Sequence, residues 1–160
     1  MSLDAAQEVT VEVAAPQADC FAAIVDFDRY PEWSGQVTRT KVLEYDADGI
    51  GRVVEFFIDA RIKTIRYVLE YRYRKPSELR WKSVDGDVES IEGIYRFRKL
   101  APNRTEATCR QEIALGFWMP GPLRKLAERT ALSQSVAEFK SYAERLQAQP
   151  ARRSRRARPS

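Results

Sequence analysis

The stretch Gly116-Phe117-Trp118-Met119-Pro120-Gly121-Pro122 divides the chain into two parts with different hydrophobic patterns. Before it, residues 36–115 read as alternating apolar and polar side chains joined by tight turns, which is typical of strands. After it, apolar residues recur every three or four positions as far as Gln147, which indicates one long amphipathic helix. A long antiparallel sheet covered by a single helix has to curl around that helix. Such a shape often leaves space for a ligand, so the order of elements predicts a container.

Turn-forming residues divide the first part into six strands, near 36–46, 51–62, 64–75, 78–84, 88–100 and 104–115. An earlier strand is predicted at 8–13, where every second residue is valine. Between them, a helix begins at Pro16 and is interrupted by residues 26–33, because Pro31 disfavours a helical conformation at Tyr30, so two short helices are expected. The prediction is an α+β protein with a seven-stranded curved antiparallel sheet around a long C-terminal helix. The buried stripe of that helix is predicted to be Leu132, Val136, Phe139, Ala143 and Leu146.

The positive charge is concentrated at one end of the chain. Five arginines lie in the last eleven residues, which contain no acid, and because the net charge is +4 the rest of the chain carries −1. This distribution argues against a domain with a generally basic nucleic-acid-binding face. We expect an extension at 1–7, one ligand-binding domain at 8–147 and a disordered Arg-rich tail at 148–160. The tail either makes a salt-sensitive contact with RNA, a ribosome or an anionic membrane, or is a solvated terminus.

Several functional classes are disfavoured by what the sequence lacks. No window approaches the roughly 18 apolar residues of a membrane span, and residues 1–7 do not read as a secretory signal, so a cytoplasmic protein is expected. Cys20 and Cys109 are too few for a disulfide framework and are predicted to be buried, reduced thiols. The chain has no histidine, which excludes histidine-dependent triads and zinc-water hydrolysis. We expect neither a cofactor nor a metal site.

Two short motifs carry a family resemblance: Asp26-Phe27-Asp28-Arg29-Tyr30-Pro31-Glu32-Trp33 and Gly93-Ile94-Tyr95-Arg96-Phe97. Together with the order of elements, they resemble the START-like (SRPBCC, Bet v 1-like) superfamily. The chain looks most like its polyketide cyclase/dehydrase and lipid-transport group. The resemblance implies a helix-grip fold with an apolar cavity between the sheet and the C-terminal helix. It also implies ligand entry where Arg61-Ile62-Lys63, Asp85-Gly86-Asp87 and Phe117-Trp118-Met119 meet the start of the long helix.

Alternation along the strands places phenol, indole, hydroxyl and amide groups on the inward face among apolar side chains. Buried polar groups need partners, so the inward face reads as the lining of a ligand with a ring-like body and a few oxygens. The other interpretation is a core whose polar tips reach water or backbone, with Glu89 an exposed residue at a strand start. The candidate ligand-binding residues are Trp33, Phe56, Ile58, Tyr67, Leu69, Tyr71, Trp81, Ser83, Glu89, Ile91, Gln111, Trp118, Leu126 and Thr130.

Three functional hypotheses follow. The first is a non-catalytic binder or carrier of a small hydrophobic ligand, such as a lipid, an isoprenoid quinone or a polyketide. The second is a cyclase, aromatase or dehydratase that uses Tyr67, Tyr71 and Glu89 instead of histidine. The third is a ribosome-associated or protein-interaction module, for which the arginine tail is the only direct indication.

Overall fold

A computed structural model describes residues 6–60, 63–114, 116 and 120–149, except for the side chains of residues 121 and 123–126. Over these residues the chain forms seven strands, three α-helices and a one-turn 3-10 helix at Phe27–Arg29. The elements in chain order are β1 (Gln7–Val13), α1 (Gln17–Ile24), α2 (Tyr30–Trp33), β2 (Val37–Tyr45), β3 (Gly51–Asp59), β4 (Thr64–Arg74), β5 (Glu78–Gly86), β6 (Ser90–Ala101), β7 (Arg104–Ala114) and α3 (Gly121–Gln147).

All seven strands belong to one antiparallel sheet with the order β1-β7-β6-β5-β4-β3-β2. Sequential strands from β2 to β7 are neighbours because short turns connect them. β1 pairs with β7, with Val13 opposite Thr105 and Gln7 opposite Gln111. The predicted seven-stranded sheet, the short helices after β1 and the long C-terminal helix are therefore confirmed.

The interruption expected over residues 26–33 is present, with α1, the 3-10 helix and α2 as separate pieces, but the break lies at Val25 and Asp26. The expectation that Pro31 keeps Tyr30 out of a helix is wrong: Tyr30 is helical and Pro31 lies in the first turn of α2, where a proline is tolerated. The hydroxyl of Tyr30 donates to the carbonyl oxygen of Ile24 at 2.6 Å, which ties the second piece back to the first. The Thr40 hydroxyl donates to the carbonyl oxygen of Phe27 at 2.7 Å and so attaches the 3-10 helix to β2. These bonds hold Trp33 under the sheet, where its side chain is buried.

The C-terminal half of α3 is fixed to the sheet. Leu132, Val136, Phe139 and Ala143 are all at most 5% exposed, as the helical spacing predicts, and Leu146 packs partly buried against the same core. At the far end, the Glu144 carboxylate accepts bonds from the Ala14 backbone N–H at 2.9 Å and from Lys140 Nζ at 2.6 Å. Val13, Ala15 and Thr105 at this end of the interior are fully buried, so we call it the closed end.

Candidate ligand-binding site

One row of residues crosses the concave face of the sheet through four strands. Tyr71 of β4 is opposite Trp81 of β5, Trp81 is opposite Gly93 of β6, and Gly93 is opposite Gln111 of β7. The indole of Trp81 lies over Gly93, because a Cβ at position 93 would be only 2.3 Å from Trp81 Cζ2. The indole Nε1 then reaches across this glycine and donates to Gln111 Oε1 at 3.0 Å.

A second polar group lies next to this row. The last pair of opposed residues between β5 and β6 is Lys82 and Glu92. Beyond this pair the two strands are no longer joined as neighbours in the sheet. There the Ser83 Oγ accepts a hydrogen bond from the backbone N–H of Ile91 at 2.9 Å. Ser83 therefore faces the interior with its oxygen already used as an acceptor.

Aromatic rings form much of the wall around these polar groups. Tyr71 has ring-centroid distances of 4.8 Å to Phe27 and 6.1 Å to Trp81, and Trp81 lies 6.3 Å from Tyr95. Phe56 and Tyr67 extend the wall at 5.5 Å. Rings at such spacings present a surface suited to a flat apolar ligand.

Burial changes along the concave face. Leu69 and Tyr71 are 5% exposed and Ile91 is 3% exposed. In contrast, the inward-facing Tyr67 and Trp81 are only partly buried, as are Ile58, Ser83, Gln111 and Ile113. The strand ends near Ile58 and Ile113 lie away from the closed end at Val13. Inward-facing side chains are thus more exposed toward the strand ends near Ile58 and Ile113 than at the closed end.

Three polar atoms of buried aromatic side chains have no hydrogen-bond partner among the residues that the structure describes: Trp33 Nε1, Tyr95 Oη and Tyr142 Oη. Their rings gather around Phe139, with centroid distances of 5.9 Å from Phe139 to Trp33 and 5.5 Å to Tyr95, and Trp33 stacks on Tyr142 at 5.7 Å. Leaving such a group unpaired costs about 1–3 kcal/mol. An oxygen atom bound in the interior would remove part of that cost.

Burial also determines the charge state of the interior phenols. Desolvation raises the pKa of Tyr67 and raises the pKa values of Tyr71 and Tyr95 well above their ordinary value. These phenols are therefore neutral near pH 7, so they act as hydrogen-bonding groups and not as bases. Among the described parts of the chain, no three acidic or cysteine side chains come together as a metal-binding group.

The structure brings together ten of the fourteen candidate residues. Glu89 is exposed, in line with its alternative interpretation as a residue at a strand start. Thr130 is exposed on the face of α3 that points away from Leu132, so it is not part of the concave surface. Trp118 and the side chain of Leu126 lie outside the described residues, as do parts of the expected entrance at residues 61–62, 117 and 119. The residues found together are Trp33, Phe56, Ile58, Tyr67, Leu69, Tyr71, Trp81, Ser83, Ile91 and Gln111.

The sequence-based candidate set omits three residues that face the interior. Tyr95 shares the inward alternation of Ile91 and Gly93, and this signal was available from the sequence. Tyr142 is 4% exposed beside Trp33. Glu128 precedes Leu132 by four residues on the buried stripe, and its Oε1 atom is buried. The buried face of a helix is recognised in a sequence from the spacing of its apolar residues, so charged and phenolic residues on that face are missed.

A groove of about 660 Å³ lies along β4 to β7 and is lined by Trp81, Gly93 and Gln111 together with charged residues of the same strands. Several of its charges are paired with neighbouring charges, for example Lys82 with Glu70 at 3.9 Å and Arg110 with Glu8 at 3.2 Å. We therefore assign no ligand to it. Its lining is mostly charged and comprises Ala6, Glu70, Arg72, Arg80, Trp81, Lys82, Glu92, Gly93, Ile94, Arg96, Arg110 and Gln111.

The seven-stranded antiparallel sheet and the long C-terminal helix packed against it define a START-like helix-grip protein. The polyketide cyclase/dehydrase and lipid transport family matches residues 13–140, and the chain belongs to that family. No curated protein matches the chain in sequence. Family membership supports hydrophobic-ligand binding or cyclase activity on this scaffold, the two activities expected from the sequence. No helix within the described residues has the length and apolar character needed to cross a bilayer.

Solved structures show the same fold at low sequence identity. A START superfamily protein from Mycobacterium smegmatis has a TM-score of 0.82 and 20% identity, over 88% of this chain and 98% of that chain. The Zhui aromatase/cyclase from Streptomyces sp. R1128 has a TM-score of 0.73 and 19% identity, over 88% of this chain and 93% of that one. At these identities the likeness shows the fold alone.

Proposed function

We propose that the protein binds a small, largely apolar ligand between the sheet and α3. The observation that carries this proposal is the incomplete burial of Tyr67, Trp81 and Gln111, which face inward and yet remain accessible. In a sealed core, large inward-facing side chains would be almost fully buried, as Leu69 and Tyr71 are. A lipid, an isoprenoid quinone or a polyketide-like molecule has the apolar body that this wall of rings would cover.

Native mass spectrometry of the gently purified protein tests this directly. Co-purified apolar material is expected, and so is quenching of tryptophan fluorescence when a lipid or quinone is added. The variant Ile113→Trp adds bulk to the partly buried concave face and should abolish binding. The matched variant Val84→Trp adds the same bulk at a position that is 52% exposed and should bind normally. Equal binding by both variants, or no ligand under any condition, contradicts the proposal.

A second candidate function is a cyclase, aromatase or dehydratase reaction in the same interior. It is favoured by the family description and by the fold shared with the Zhui aromatase/cyclase. Tyr67 and Tyr71 are the residues we propose to contact the reacting ligand, as neutral hydrogen-bond donors. Glu89 is exposed, so it contributes only if the ligand reaches the strand start.

With a proven substrate, Tyr67→Phe should lose turnover and retain binding. Turnover at the parent rate excludes this role.

The arginines of residues 152–158 and the cytoplasmic location remain predictions. We propose that the arginine segment contacts an anionic surface, RNA, a ribosome or an anionic membrane, in a salt-sensitive manner. Deleting residues 150–160 should then weaken association with ribosomes or anionic vesicles at low salt. Association that is unchanged by this deletion removes the segment from the proposal.

A further inference from the structure

Trp81 determines which end of the Gln111 amide faces the indole. An indole N–H can only donate, so the 3.0 Å bond from Trp81 Nε1 requires the carbonyl oxygen of Gln111 on that side. The amide nitrogen of Gln111, which carries two donor hydrogens, is therefore turned away from Trp81. The indole itself is held in place by its contact over Gly93, which has no side chain to displace it.

The hydroxyl of Ser83 is also left as a hydrogen-bond donor, but for a different reason. Ser83 Oγ accepts the backbone N–H of Ile91 at 2.9 Å, so its O–H is left to donate. Across the interior, the buried Trp33 Nε1 is also a donor without a partner among the described residues. Gln111 Oε1 and Ser83 Oγ thus each accept an internal hydrogen bond, which leaves the NH₂ group of Gln111 and the O–H of Ser83 as donors for a ligand.

We propose that Trp81 is a positioning residue that sets the hydrogen-bond polarity of the ligand site. By fixing the Gln111 amide, it makes the wall formed by β5 and β7 specific for a ligand that carries an acceptor oxygen, such as a ketone or quinone carbonyl. A pure hydrocarbon of the same shape would leave the donors of Ser83 and Gln111 unpaired. This inference rests on the proposed function, because it specifies the ligand chemistry of the same interior.

Two isosteric probes test the inference: 2-acetylnaphthalene and 2-isopropenylnaphthalene, which differ only in C=O against C=CH₂. Their affinities are measured by calorimetric titration, and the ratio of ketone to alkene affinity is compared between variants, so that the hydration of the probes cancels. Trp81→Phe keeps a ring and removes the N–H, which frees the Gln111 amide to turn. The ratio should fall about 3- to 10-fold, which corresponds to one hydrogen bond.

Gln111→Met removes the amide at similar size and should lower the ratio by a similar factor, even if Trp81→Phe does not fold. The double variant should show no further fall, because Trp81 acts through Gln111. The matched control Gln134→Met changes an exposed glutamine of α3 and should leave the ratio unchanged. An unchanged ratio in Gln111→Met, with both probes still bound, overturns this inference and leaves the proposed function intact. Failure of both probes to bind the parent protein contradicts both.

Discussion

The indole of Trp81 occupies the space that a side chain at Gly93 would need. A Cβ built at position 93 lies 2.3 Å from Trp81 Cζ2 and 2.7 Å from Trp81 Nε1, well inside van der Waals contact. Both residues are on the concave face, at opposed positions of β5 and β6. The φ angle of Gly93 is not positive, so the backbone conformation does not require glycine here. Glycine is required because the ring of Trp81 leaves no space for a side chain.

Gly93→Ala should destabilise the protein by about 1–3 kcal/mol, because the indole must leave its place and give up its bond to Gln111. Urea denaturation measures this loss. Gly35→Ala is the matched control, since its Cβ meets only the movable end of Glu138, at 2.9 Å, and should cost much less. In a Trp81→Ala background the alanine at position 93 should be tolerated. An equal penalty in both backgrounds is incompatible with this packing.

Two buried tyrosines should respond differently to loss of their hydroxyl groups. Tyr30 donates to the Ile24 carbonyl at 2.6 Å, so Tyr30→Phe should cost about 1–2 kcal/mol. Tyr95 Oη is buried without a partner among the described residues, so Tyr95→Phe should leave the free energy of unfolding unchanged or raise it. Both values come from denaturant melts of ligand-free protein. If Tyr95→Phe proved as costly as Tyr30→Phe, the Tyr95 hydroxyl would have to be bonded in the folded protein.

The sequence predicted the sheet and the helix well because each has its own period. Alternation from Leu69 to Arg74 of β4 and the three-to-four spacing before Phe139 survive folding, since Leu69, Tyr71 and Phe139 all face the core. Val68, on the other face of β4, is buried as well, which alternation does not predict. The partnership of Trp81, Gly93 and Gln111 could not be read in this way. It depends on which residues are opposed between strands, and turns and bulges set that register, including the shift between Val68 and Leu69.

Thr130 illustrates a different limit. Two residues before Leu132, it lies about 200° around the helix from the buried stripe, so helical geometry places it outside. The family resemblance suggested that the start of α3 lines the cavity. It did not say which residues of the helix face the sheet. Glu128 has the correct phase, but as an acid it does not contribute to an apolar pattern.

The native protein should be unreactive toward thiol reagents. Burial raises the pKa of Cys20 to about 11, and desolvation raises that of Cys109 further. At pH 8 only about one Cys20 in a thousand is thiolate, and both thiols are covered. Ellman's reagent should modify neither cysteine until urea unfolds the chain, when both react. A Val84→Cys variant, at a position 52% exposed, supplies the positive control. Rapid native labelling at pH 8 of either natural cysteine contradicts the packing described for it.

Acid should loosen the attachment of α3 to β1 through Glu144. Burial of this carboxylate raises its pKa, but hydrogen bonds from Lys140 and the Ala14 N–H, with the charge of Lys140, outweigh burial and hold the pKa below its ordinary value. A carboxyl whose pKa is lowered by folding stabilises the folded state above its unfolded pKa of about 4.3, and the contribution is lost as pH falls through the folded value. Glu144→Gln should therefore cost about 1 kcal/mol at pH 7 and progressively less as the pH falls below the unfolded pKa, so the cost should be smaller at pH 3. Denaturant melts at both pH values measure the difference, with the exposed Glu89→Gln as control. A Glu144→Gln penalty that persists unchanged at pH 3 means that the ionised carboxylate does not hold the helix.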